Sequence, residues 1–253
     1  MSQPTLHPES RLTLAFLAAI VALGPLSGTS LAALVDELFA EVPVDDAPEV
    51  RLVDFDPEAE DKILAAICYP HSALGEAQLL DRVRSLGVDE RRSLLAAYVG
   101  ERKNRRHKPG RAFERAFYRF DILSDYGAFR DMQRHRMLTI EWQQLTPNHG
   151  YSRPDLAVEA GAATLFDDAM QRSAGLYDAL VTDHPQQASY AVSMAYRLRY
   201  VMQFNLREAM HMLELRSSPQ GHPAYRRLAL EMHRQIAERA GHRALAATLS
   251  HMT

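Results

Sequence analysis

The pattern of apolar side chains predicts a fold that mixes helix with a smaller amount of strand. Three observations carry this. Apolar and polar residues alternate from Val50 through Phe55, helical spacing follows for about fifty residues, and the last hundred residues are dominated by helical periodicity. The chain has 253 residues, 47% of them hydrophobic and 24% charged, which suits a globular protein with a real core and excludes a disordered or collagenous chain.

In chain order, the apolar run Leu12 to Leu26 is too short and too interrupted by Pro and Gly to span a membrane. A signal-peptide core is the other reading. Arg11 is the single basic side chain before it and Glu9 stands close by, so a buried or dimer-facing helix is favoured. A second helix follows with Ser30 as a candidate N-cap, and residues 43–49, PVDDAPE, read as a linker. Residues 1–48 are therefore a helical N-terminal extension, and a second domain runs from 49 to 253.

VRLVDFD alternates as a half-buried strand does. The next segment opens with Pro57 and acidic residues and then carries apolar residues at helical spacing to Cys68. LGEAQLLDRVRSLG and DERRSLLAAYVGE predict two amphipathic helices. FERAFYRFDILSDY reads as strand or strand-to-helix, and QLTPNHGYSRP as a loop. Residues 155–183 predict one helix or a broken pair. Residues 188–218 predict a single long apolar helix ended by Ser217, Ser218 and Pro219. A last helix starts near Pro223 and stops by Gly241.

One cysteine excludes an intrachain disulfide framework and a multi-cysteine zinc site, and fits a reducing, cytoplasmic compartment. Cys68 lies on the apolar face of its helix and reads as a core thiol. A net charge of −3 exerts no general pull on nucleic acid. HExxH, GxGxxG, Walker A and GxSxG patterns are all absent from the sequence.

Three basic features remain. Arg134-His135-Arg136 is either a solvated helix end or a compact anion site, because Arg grips phosphate bidentately. Its apolar flanks, Phe129, Met132, Met137, Leu138 and Ile140, favour a partner or ligand. Asn205, Ala209, Met212 and Arg216 fall on one helical stripe. Arg216 then either complements the helix dipole or points into a pocket. The cluster Arg102, Lys103, Arg105, Arg106, His107, Lys108, Arg111 and Arg115 reads equally as a solubilising loop or as a binder of nucleic acid or dinucleotide phosphate, with Phe113, Phe117 and Tyr118 as its aromatics.

RHR followed downstream by NLREAMHMLELR, with the opening VRLVDFDPEAEDKILAAICY before both, resembles the flavin-dependent thymidylate synthases, the ThyX family. The resemblance covers residues 49 to 253. It implies an α+β fold with long C-terminal helices packed on a mixed sheet, and a homotetramer with active sites shared between subunits. It implies FAD as cofactor, NADPH and methylenetetrahydrofolate as cosubstrates, and transfer of a one-carbon group to C5 of dUMP or another uracil nucleotide such as UMP. By position, Arg134, His135, Arg136, Asn205 and Arg207 match flavin contacts. Glu141 stands where the family has an Asn, or is the family's Glu after a one-residue shift, and His211 stands at a family asparagine. Arg216 matches the arginine beside the pyrimidine, a fixed cation that stabilises a developing anion.

The sequence departs from the family where the nucleotide phosphate is gripped. Thr139, Gln144 and Thr146 stand for Ser, Ser and Arg, and Ser189 falls near a further arginine. RRHKPGRAFE replaces a histidine-rich flavin loop, with His107 as a possible match. A diverged paralogue that binds flavin or nucleotide without synthase activity is therefore the alternative reading. A nucleic-acid module on residues 102–119 is the least favoured.

Overall fold

The computed structural model describes residues 28–44 and 48–253, with side chains from Leu31 onward. The apolar run Leu12 to Leu26 lies outside what is described, and Ser30, the expected N-cap, falls inside a helix that already starts at Gly28. Two compact units divide the chain, residues 1–46 and 47–253. In the first, helix α1 (Gly28–Phe39) carries Leu31, Leu34, Val35 and Leu38 at helical spacing, all exposed.

The second unit is built on four strands: β1 (Val50–Phe55), β2 (Phe117–Asp125), β3 (Leu138–Trp142) and β4 (Arg197–Asn205). Their order is β1-β2-β4-β3, and every neighbouring pair is antiparallel. The sheet is thus antiparallel throughout rather than mixed. Nine consecutive pairs join β2 to β4, from Phe117 with Asn205 to Asp125 with Arg197.

One face of this sheet is the core. Tyr118, Phe120, Ile122 and Ser124 alternate inward on β2, and Leu198, Tyr200, Met202 and Phe204 do so on β4. Helices cover that face: α2 (Ala59–Cys68), α5 (Tyr126–Met132), α8 (Leu206–Arg216) and α9 (Pro223–Glu238). Helices α3 (Glu76–Arg84) and α4 (Val88–Val99) pack outside α2, and the short α10 (Arg243–Ala246) packs on α9. The free edge of β1 is closed by a side chain. Gln235 Nε2 donates to Val50 O at 2.8 Å, and its Oε1 accepts from Leu52 N at 2.6 Å. The amide stands in for a neighbouring strand where an exposed edge would invite pairing.

The single helix predicted for 188–218 is corrected: residues 197–205 are the central strand β4, and α8 starts at Leu206. Period-2 burial decides it, because the residues between the buried ones (Arg199, Val201, Gln203) face the other side of the sheet. Residues 155–183 form the broken pair, α6 (Asp155–Glu159) and α7 (Ala163–Val181), split at Gly161 with φ 67°. Met170 and Tyr177 of α7 join Ala188, Val192 and Tyr196 in a satellite cluster. Cys68 is half-buried against the main core, and burial pushes its thiol up. No helix among the described residues is long and apolar enough to cross a membrane.

Candidate functional site

Three segments distant in sequence converge where α5 leaves the sheet. Asp125 caps α5, its Oδ1 accepting Ala128 N at 2.8 Å. After α5 ends at Met132 the chain turns through the Arg134-His135-Arg136 triplet into β3. The triplet alternates, with His135 8% exposed and both arginines at the surface. Arg134 pairs with Asp131, at 3.6 Å.

At the end of β4, Asn205 caps α8 by accepting Glu208 N at 2.9 Å. This cap turns a strand into a helix and aims Glu208 inward, where the positive end of the helix favours its carboxylate. Arg216 closes the same helix. Asn205 and Arg216 do stand at its two ends, with Ala209 and Met212 fully buried between them.

His135 joins the parts. Its Nε2 accepts from Arg216 Nε at 3.1 Å, and its Nδ1 lies 3.2 Å from Glu208 Oε1. An arginine Nε–H can only donate, so Nε2 carries the lone pair and Nδ1 carries the hydrogen, which it donates to Glu208. Arg216 is held further by Asp131, through Nη1 to Oδ1 at 3.3 Å and Nη2 to the main-chain O at 2.5 Å. Its guanidinium also sits 5.3 Å from the Tyr225 ring centroid. Arg216 stands in the last turn of α8, with its guanidinium packed on His135, Asp131 and Tyr225.

His211 meets His135 edge to face, with ring centroids 5.5 Å apart. Burial holds its pKa below the ordinary histidine value. The nearby Lys108 adds to this, Glu208 opposes it, and His135 and Arg105 lower it further. His135, Glu208 and His211 offer ligand atoms within 4.8 Å of one another. The donor chemistry argues against a cation there, because His135 Nδ1 already carries a hydrogen and its Nε2 is taken by Arg216.

The basic loop is fixed above this hub by a buried ion pair. Arg102 is bidentate to Glu214, Nη1 to Oε1 at 2.5 Å and Nη2 to Oε2 at 2.6 Å, with both side chains almost wholly buried. Arg102 also donates to Thr248 O at 3.1 Å and His107 O at 2.6 Å. Arg207 holds the far end of the loop through Pro109 O at 3.1 Å and Glu114 Oε1 at 3.4 Å.

The structure therefore gathers His135, His211 and Arg216, with Asn205 capping the helix that carries the last two. It leaves Arg134 and Arg136 on the surface and uses Arg207 to hold the loop. Glu141 is exposed on β3 and lines a different hollow of about 290 Å³ with Asp121, Trp142, Gln143 and Arg199. At the rewritten positions, Gln144 Nε2 donates to Pro185 O, Thr146 Oγ1 accepts Asn148 N and Ser189 Oγ donates to Gln186 O. Phe113 and Tyr118 are core residues and offer no stacking surface. Sequence reasoning missed Asp131, Glu208, Glu214 and Tyr225. Only Glu208 left a trace, as the acidic third residue after a capping Asn.

The fold is that of the flavin-dependent thymidylate synthases. ThyX from Helicobacter pylori, crystallised with FAD and dUMP, superposes with a TM-score of 0.58 at 16% identity, over 81% of this chain and 100% of that one. A second structure of the same enzyme with FAD and dUMP gives 0.53 at 17%, covering 74% and 93%. The chain belongs to the thymidylate synthase complementing protein family, whose pattern matches residues 51–240. A UPF0159 protein of Chlamydia muridarum is 39% identical over 189 residues, 75% of this chain and 36% of that protein. One from Thermoplasma acidophilum is 35% identical over 192 residues, 74% and 38%. The chain thus spans little more than a third of the length of the curated relatives it matches.

Proposed function

We propose that residues 49–253 form a flavin-dependent enzyme that methylates C5 of a uracil nucleotide, dUMP or UMP. FAD is the cofactor and methylenetetrahydrofolate and NADPH are the cosubstrates. Residues 1–48 are an extension to this domain. The working form is a homotetramer with shared sites, in the cytoplasm, where a lone cysteine stays reduced.

The observation that carries this reading is the 3.1 Å bond between His135 and Arg216, groups 81 residues apart. It unites the two motifs whose co-occurrence defines the resemblance. The residues present fit a flavin. Arg134 and Arg136 are open to solvent on either side of a buried, tautomer-fixed imidazole, which leaves two forked cations to take an anionic ligand. Asn205 spends its Oδ1 on the helix cap and keeps Nδ2 for a ligand. His211 presents a neutral imidazole. Arg207 and Glu141 complete the set expected to contact FAD. When bound, FAD supplies hydride transfer from NADPH. Arg216 supplies a cation held in place by Asp131, His135 and Tyr225, so little reorganisation is needed as charge develops on the pyrimidine.

The test is direct. Purified protein is scanned for flavin absorbance, titrated with dUMP against UMP, and assayed with methylenetetrahydrofolate and NADPH. Protein that is colourless and takes up no FAD rejects the reading.

A second reading, a member that binds flavin or nucleotide without synthase activity, draws on one observation. All three guanidinium nitrogens of Arg216 are already bonded within the chain. Growth of a thymidine-requiring strain on this gene excludes it.

A further inference from the structure

Glu208 is 7% exposed, and among the described residues its carboxylate makes one side-chain hydrogen bond, from Oε1 to His135 Nδ1 at 3.2 Å. A buried carboxylate with one neutral donor is costly to keep, and the field at the start of α8 offsets that only in part. A role confined to packing would be met by an apolar side chain of similar volume. What stands on the other side of the imidazole supplies a reason for the charge.

Both ends of α8 meet on one ring. Glu208 sits in the first turn, aimed inward by the Asn205 cap, and Arg216 sits in the last. The two are about 12 Å apart along the helix axis. Among the described residues they share no ion pair of their own. His135, from the turn before β3, fills the gap, with Glu208 on Nδ1 and Arg216 Nε 3.1 Å from Nε2. We propose that Glu208 is a positioning residue that acts on Arg216 through His135. The inference rests on the flavoenzyme reading and deepens it, because that reading places Arg216 beside the pyrimidine.

The physical chain is short. A neutral imidazole can carry its hydrogen on either nitrogen. On Nε2, that hydrogen would face the Arg216 Nε–H across 3.1 Å, donor against donor, and the guanidinium would turn away. A carboxylate has no hydrogen to give. Facing Nδ1, it selects the one tautomer whose Nε2 accepts from Arg216. It also polarises the ring and so makes Nε2 the stronger acceptor. His211 meets the same ring edge to face at 5.5 Å and limits its rotation. Asp131 fixes the two Nη groups, so the guanidinium is set from both ends. Each Nη carries a second hydrogen that these bonds leave for a ligand.

The test compares two variants in the full chain. Glu208→Leu keeps the bulk and removes the acceptor. Glu208→Gln keeps the bulk and can turn its amide oxygen to Nδ1, since no second hydrogen bond orients the side chain. Circular dichroism checks that both are folded, and Glu208→Ala repeats the first with less bulk. The readout is nitrogen NMR of protein labelled in histidine and arginine, with His135 assigned by the loss of its signals in His135→Gln. Wild type and the Gln variant show one tautomer, with hydrogen on Nδ1, and a slowly exchanging Arg216 Nε–H. The Leu variant loses one or both signatures. Its affinity for dUMP falls at least about tenfold, the scale on which carboxylates that orient a ligating imidazole act, and Gln restores it. A protein that takes up neither FAD nor dUMP, yet shows these NMR changes, keeps the hold of Glu208 on Arg216 and removes the flavoenzyme reading. The proposal is overturned if wild-type His135 carries its hydrogen on Nε2, or if the Leu variant keeps both signatures. It is also overturned if Gln fails as Leu does, or if the Leu variant binds dUMP as tightly as the wild type.

Discussion

Replacing Arg102 with methionine tests whether the basic loop is held by the buried ion pair. The substitution keeps side-chain bulk and removes the charge. Among the described residues it leaves Glu214, whose side chain is fully buried, with the main-chain N of His251 at 3.3 Å as its one remaining donor. An uncompensated buried carboxylate after loss of its partner costs about 3–5 kcal/mol. For a unit of roughly 200 residues each kcal/mol lowers Tm by about 2–4 °C, so the expected fall is about 6–20 °C. The double variant Arg102→Met, Glu214→Met removes both charges and recovers most of that loss, because an apolar pair of similar volume is close to neutral. Recovery stays incomplete because Thr248 O and His107 O lose a donor. The assay is urea unfolding of wild type, both single variants and the double, closed as a cycle. A single-variant cost under about 1 kcal/mol, or a double variant as unstable as the singles, refutes the reasoning.

Asn205→Ala removes the cap of α8 and costs about 1 kcal/mol in thermal unfolding, whereas Asn205→Asp keeps the acceptor and most of the stability. His211 has a folded pKa below its ordinary value near 6.5, so the unfolded chain binds the proton more readily. Stability is present above that pH and is lost as pH falls through the window beneath it. His211→Asn therefore gives a shallower acid limb in Tm measured against pH, and an unchanged limb contradicts the assignment. A methyl group on Gly110 would land on the Tyr98 hydroxyl, which accepts Ala112 N at 2.9 Å. Gly110→Ala should cost about 1–3 kcal/mol, partly relieved by Tyr98→Phe, as read by chemical denaturation.

Much of the fold could be read from local pattern. The strand at Val50, the helices to Val99 and the helix start near Pro223 follow from periodicity and end signals that act over a few residues, whereas Asn205, placed inside a helix by its spacing, caps one in the structure. Strand β4 was misread although its alternation of Leu198, Tyr200, Met202 and Phe204 is plain in the sequence. It runs without a break into an amphipathic helix, and a mixed apolar stretch does not announce where the period changes from two to 3.6. The antiparallel order of the sheet had no local signature at all, since pairing partners lie about eighty residues apart.

The sequence by itself determined which residue types were available: a His between two arginines, an Asn and an Arg at the two ends of an apolar stripe, and no cation across residues 139–146. Tertiary structure decided their partners. It placed Glu208 and Arg216 on opposite nitrogens of His135, set Asp131 against Arg216, and used Arg207 to brace a loop. It also spent Arg102 on Glu214 in a buried ion pair. The reason is physical. A charged group's role depends on what lies within a few ångströms in a low-dielectric setting, and only the packing of α5, α8 and the loop fixes those distances.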